Sequence, residues 1–174
     1  MKKLYIILVL ILILLIPTSI LKITNTDTYT YNIKPLIHWN IDKPIGTLSI
    51  KKINLKENIY DINSKENNVE KNITILKESI YPDNTNSIMI IAAHSGEGRI
   101  AYFEKLDQLK EKDEITLVYH NKEYNYIVKD IWEEKKNGYI NINRENKKQL
   151  VLTTCSPNKN NYQLVINCIE KEST

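Results

Sequence analysis

Val151-Leu-Thr-Thr-Cys155-Ser-Pro-Asn158 is the stretch that decides the reading of this chain. Its β-branched and apolar residues form a run that stops on a cysteine, and Ser156-Pro157-Asn158 then supplies a turn. The run reads as a buried strand that delivers a thiol to its C-terminal end, where the chain turns away and leaves room for a ligand. A thiol in that place is useful only when something deprotonates it or pairs with it, because the thiolate is the nucleophile. A partner lies sixty-one residues upstream, in Ile88-Met-Ile-Ile-Ala-Ala-His94-Ser-Gly96, a second apolar strand that ends on an ionisable residue. One cysteine and one histidine at strand ends point to nucleophilic catalysis with an imidazole partner.

Further strands extend outward from these two. Ile45 to Ile50 and Asn54 to Ile62 alternate isoleucine with polar residues and read as strands. Ser64 to Asn72 is polar, with room for one helical turn started by Ser64 as N-cap. Ile73 to Leu76 is apolar again, and Tyr81 to Asn86 is a turn cluster. Phe103, Leu106 and Leu109 stand three residues apart, which suits a short helix packed on the core. Ile115 to Tyr119 and Tyr124 to Ile131 flank Asn121-Lys122 and read as a hairpin. Lys135 to Lys148 is a long polar connection with scattered isoleucines, and Tyr162 to Ile169 is the last strand. Seven or eight short strands with little helix indicate a mainly-β barrel or sandwich.

The chain has 174 residues, enough for one compact domain and a tail. Its two cysteines rule out a disulfide scaffold, and a domain of this size does not need one. The net charge is +3, to which Lys2 and Lys3 contribute, and no basic stripe argues for nucleic acid. The three histidines are far apart and lack the spacing of a metal site, so no metal or other cofactor is indicated. His38 and His120 read as ordinary surface residues. Leu4 to Leu21 holds no charge, and eighteen residues make ~27 Å of helix, close to the hydrocarbon thickness of a bilayer. Lysines before it place that end in the cytoplasm. A cleaved signal peptide is the competing reading, for which Pro17-Thr-Ser19 is a poor cleavage site. The expected division is therefore an anchor at 1–21, a tether at 22–43 and a catalytic domain at 44–174.

The strand ends Ala92-Ala-His-Ser-Gly96 and Leu152-Thr-Thr-Cys155, in that order, resemble the sortases, the cysteine transpeptidases of Gram-positive cell surfaces. Pro44 to Leu55 is similar to the strand pair that opens sortase domains, and Ala101 to Leu109 to the segment after their histidine. The resemblance spans roughly residues 44 to 170. It implies an eight-stranded sortase barrel with one or two short helices, preceded by the transmembrane helix. It also implies that Cys155 attacks a substrate carbonyl to form a thioester, and that His94 moves the protons. The implied substrates are surface proteins with a C-terminal sorting signal of Leu-Pro-x-Thr-Gly type. The acceptor would be an amine of a peptidoglycan precursor or a pilin, and the domain would lie outside the cell. The histidine loop and the connection before the cysteine resemble class B-like sortases more than class A. Some sortases bind calcium through acidic loops, for which Glu57, Asp61 and Glu66 are candidates beside their reading as surface charge.

In one place the chain departs from the family pattern. Sortases usually carry an arginine at the start of the strand after the cysteine, where this chain has Gln163. Three readings stand: Gln163 fills the role, a loop arginine (Arg99 or Arg144) fills it, or activity is weak or altered. The last leaves open a surface-binding module or a hydrolytic cysteine peptidase. Cys168 lies five residues from Gln163 on the same strand, so the two point to opposite faces. Cys168 is expected to be a small buried residue or an exposed thiol, not a disulfide partner of Cys155.

Overall fold

The computed structural model describes residues 42–171. The expected anchor, 1–21, and residues 22–41 of the expected tether lie outside the described residues. The strands are β1 (Pro44–Ile50), β2 (Leu55–Tyr60), β3 (Thr74–Ile75), β4 (Ile88–Ala92), β5 (Glu114–Tyr119), β6 (Lys122–Lys135), β7 (Gln149–Cys155) and β8 (Tyr162–Glu170).

Two hydrophobic patterns produce two kinds of strand. β5 alternates, burying Ile115, Leu117 and Tyr119 on one face. β4 and the Leu150–Leu152 stretch of β7 are apolar without a break, and β7 is buried from Gln149 to Thr154 before Cys155 emerges. An unbroken apolar strand needs cover on both faces, and these two have it. Met89, Ile91, Leu150 and Leu152 enter the main core, while Ile88, Ile90 and Val151 join Val165 in a second cluster. Leu76, Trp132, Ile140 and Ile142 pack on that second cluster. The scattered isoleucines of the long connection thus cover the outer face of the sheet. Each fully buried apolar side chain of the two clusters contributes roughly 1.5–3 kcal/mol.

The eight strands form one sheet in the order β2-β1-β5-β6-β8-β7-β4-β3. All neighbours are antiparallel except β4 and β7. The end strands β2 and β3 meet without a ladder, so the barrel is nearly closed. Asn67, in the loop between them, lends its amide to this seam. Its Nδ2 donates to Ile75 O at 3.0 Å, and its Oδ1 accepts from Ile75 N at 2.7 Å. The side chain satisfies one residue of the free β3 edge as a neighbouring strand would.

Several local expectations shift. In place of short helices, the described residues hold two three-residue 3-10 turns, Lys51–Ile53 and Leu106–Gln108. Phe103, Leu106 and Leu109 are all buried, as their spacing required. A spacing of three matches three residues per turn, which is the 3-10 period and not the α period. Ser64 starts no helix; its hydroxyl accepts the Glu66 N–H in a local turn. The hairpin turn is His120-Asn121, one residue earlier than expected, with φ of 46° and 64°. That is the left-handed pair a two-residue hairpin favours. β6 runs on to Lys135, because its second half pairs with β8 as far as Lys135↔Tyr162.

Candidate active site

Parallel pairing of β4 with β7 sets the geometry of the site. The register adds sixty-one throughout, from Ile88↔Gln149 to Ala92↔Thr153. Two residues further on, the same offset brings His94 level with Cys155. Hydrogen bonds extend the register past the ladder. Ala93 N donates to Thr153 O at 3.3 Å, Thr154 Oγ1 to Ala93 O at 2.8 Å, and Ser95 Oγ to Cys155 O at 3.0 Å. Phe103 N donates to His94 O at 2.9 Å, which anchors the far end of the histidine loop.

Cys155 is exposed at its strand end. The turn after it is pinned by Ser156, whose hydroxyl accepts from the N–H groups of Asn158 and Lys159 and donates to Glu133 at 2.5 Å. The Ser156 hydroxyl and Lys159 together hold the Glu133 carboxyl below its usual range. A cavity of about 370 Å³ opens beside the pair. Its walls include Ser95 and Gly96, next after His94, and Thr154 and Ser156, which flank Cys155.

The two side chains have separate hydrogen-bond partners. His94 Nε2 lies 3.1 Å from Glu70 Oε1. An ionised carboxylate only accepts, so Nε2 is the protonated nitrogen of this contact and Nδ1 is the one Glu70 does not hold. The Cys155 thiol accepts from Lys136 Nζ at 2.7 Å.

Gln163 pairs directly with Cys155 across β7 and β8, and with Glu134 across β8 and β6. Directly opposed residues share a face of the sheet, so Cys155, Gln163 and Glu134 stand in one row. Gln163 Nε2 donates to Glu134 Oε1 at 3.2 Å and to Tyr139 O at 2.8 Å. A side-chain amide has two N–H donors, and both are engaged. Arg144 is held elsewhere. Its Nη2 donates at 2.6 Å to Asn86 O, just before β4 starts, whereas His94 lies beyond the end of that strand. Arg99 is exposed beyond Gly98 in the histidine loop. Cys168 is wholly buried in the core and free, and burial pushes its thiol pKa well up. It faces Leu150, five pairs along the β7–β8 ladder from Cys155.

Of the acidic residues considered for calcium, Asp61 and Glu66 have local partners, and burial raises the pKa of Glu57. Asp61 accepts from Tyr81 Oη at 3.1 Å, and Glu66 pairs with Lys71 at 2.8 Å. Among the described residues no group of three or more His, Cys, Asp or Glu is placed to hold a metal ion.

The family model for the sortase domain matches residues 48–170. The chain belongs to the sortase family. It is accordingly a cysteine transpeptidase with the sortase fold. Sortase A from Corynebacterium diphtheriae, in a lid mutant, is similar at 24% identity with a TM-score of 0.67, over 76% of this chain and 72% of that one. Sortase C1 from Streptococcus agalactiae is 26% identical with a TM-score of 0.63, over 75% and 69%. Sortase C from Streptococcus pneumoniae is 23% identical with a TM-score of 0.66, over 75% and 69%. These relatives are named sortase A and sortase C, so the similarity does not single out one class. No curated protein matches the chain.

Sequence reasoning missed the residues this sortase places on the pair, Lys136 and Glu70. Lys136 was assigned to the polar connection, in a lysine-rich stretch without a distinguishing pattern. It is the β6–β8 register, continued by Lys136 N donating to Asn161 O at 2.8 Å, that brings it to the thiol. Glu70 sits in the turn-rich segment after β2, and no local signal aims it at His94.

Proposed function

We propose that this sortase works outside the cell, held to the membrane by residues 4–21. Cys155 is its nucleophile and His94 its proton carrier. Its substrates are surface proteins with a C-terminal sorting signal of Leu-Pro-x-Thr-Gly type. The acceptor is an amine of a peptidoglycan precursor or a pilin. The observation that carries the reading is the level placement of Cys155 and His94 at the ends of one parallel strand pair, beside a cavity.

The chemistry is an acyl transfer in two halves. The Cys155 thiolate attacks the scissile carbonyl carbon. A C–S bond forms, and the C=O electron pair moves to oxygen. The oxyanion collapses, the C–N bond breaks, and the leaving amine takes a proton from His94. The acceptor amine then attacks the thioester and gives His94 a proton. A new C–N bond forms, and the C–S bond breaks to return the thiolate. One amide is exchanged for another with no net change in protons.

Intact mass of the full chain, incubated with sorting-signal peptides and an amine, tests the reading. The expected result is an acyl adduct that is absent from Cys155→Ala, together with a ligated product. An adduct that resolves only to free acid in the presence of amine would make the protein a hydrolase, and no adduct with any peptide would refute the reading. The same mass on protein from the membrane fraction reads the N-terminus, and a start beyond residue 19 would remove the anchor.

A further inference from the structure

The reaction develops negative charge twice, on sulfur and then on the carbonyl oxygen two bonds away. A fixed donor aimed at that charge is usually the largest single contribution to catalysis. The β8 position beside Cys155 holds a neutral Gln163, whose two N–H groups are engaged by Glu134 and by Tyr139 O. One strand further out, the structure provides a cation. Lys136 continues the β6–β8 ladder through its bond to Asn161 O, two residues beyond Glu134 and on the same face. β6 and β7 are separated by β8, so about 9–10 Å of sheet lies between them. Only a long side chain spans that gap, and Lys136 Nζ donates to Cys155 Sγ at 2.7 Å.

We propose that Lys136 is a catalytic residue of this sortase, pairing with the Cys155 thiolate and then with the oxyanion that replaces it. The assignment rests on Cys155 being the nucleophile. When sulfur bonds to the carbonyl carbon it loses its charge, and in the tetrahedral intermediate the new charge sits on the oxygen of that same carbon. A cation within hydrogen-bond reach of Sγ follows it with little movement. No proton leaves Lys136 in either half-reaction. Gln163 is tied to Glu134 and to Tyr139 O and lends neither of its N–H groups to the thiol.

The test uses the full chain as wild type, Lys136→Met, Lys136→Arg and Gln163→Ala. Lys136 is exposed and its backbone bond survives substitution, so all the lysine variants are expected to fold. Iodoacetamide labelling of Cys155, located by peptide mapping, is followed against pH. Losing a cation disfavours the thiolate. The midpoint in Lys136→Met should therefore rise by about one unit, slowing labelling below it by about tenfold. Lys136→Arg should restore the midpoint, and Gln163→Ala should leave it in place. The other charged groups around the thiol stay the same in every variant. They are Glu134 on β6, His94 with Glu70 on the β4 side, Glu97, Glu104 and Asp107 around the cavity, and Glu133 with Lys159 near the β7–β8 turn. On a cleavable sorting-signal peptide, kcat/KM of Lys136→Met should fall about 100-fold, with most of the loss recovered by arginine. A midpoint unmoved in Lys136→Met would overturn the proposal, as would a shift that arginine does not restore. Labelling reads the lysine–thiolate pair whether or not any peptide is cleaved, so its failure is distinct from failure of the transpeptidase reading.

Discussion

Thr154→Val tests whether the cysteine and histidine strands are tied together where the site needs it. Thr154 is 6% exposed, and its hydroxyl donates to Ala93 O at 2.8 Å, one residue before Cys155 on one strand and before His94 on the other. Valine keeps the shape and removes the donor. The loss is a net hydrogen bond together with a buried carbonyl left short of a partner, about 1–3 kcal/mol. For the 130 residues from 42 to 171, the unfolding entropy is roughly 0.27 kcal/mol/K, so Tm should fall by about 4–11 °C. The ladder below and the Ser95–Cys155 bond above survive, so the strand ends should separate by less than the ~1 Å that can cost 100-fold in rate. We expect kcat to fall by about tenfold with KM little changed. Thr154→Ser keeps the donor and should keep kcat, while losing some stability with its buried methyl. Thermal unfolding and steady-state turnover of the three proteins decide it. A valine variant with wild-type Tm and wild-type kcat would show that this bond neither holds the strands nor sets the spacing.

Two further outcomes follow from the packing. A Cβ on Gly46 would lie 1.8 Å from Val118 O, a backbone atom that cannot rotate away, so β1 would have to lift off β5. Gly46→Ala should therefore cost about 3 kcal/mol and lower Tm by about 10 °C; an unchanged thermal transition would contradict the close approach. At alkaline pH, three buried acids act in the same direction. Burial raises the pKa of the Cys168 thiol and of the Tyr126 hydroxyl, and pushes Tyr119 up to about 12. Each stays protonated in the folded state after it has ionised in the unfolded chain. Their contribution is thus complete below the unfolded values and is lost as pH climbs toward the folded ones. Urea unfolding should show stability falling from about pH 9 upward; a flat profile to pH 11 would refute the assignment.

Much of this protein is local and can be read along the chain. The apolar, β-branched runs at Ile88–Ala92 and Leu150–Thr154 read as buried strands, and the alternation of Ile115, Leu117 and Tyr119 reads as a strand with one wet face. Chemistry-bearing residues at the ends of two such runs are equally visible, because a strand's length and its end are set by neighbours in sequence. The burial of Phe103, Leu106 and Leu109 was legible too, but the short helix expected there is a three-residue 3-10 turn. What the sequence could not determine is which strands lie side by side, and in what register. The constant offset of sixty-one between β4 and β7 makes His94 and Cys155 neighbours, and the reach of β6 past Ile131 makes Lys136 a neighbour of the thiol. Long-range pairing depends on the closure of the whole barrel, and a lysine at a strand end looks alike in sequence wherever that strand comes to rest. The chain by itself determined the strands and the reactive groups at their ends; only the tertiary structure decided which charges stand beside the thiol.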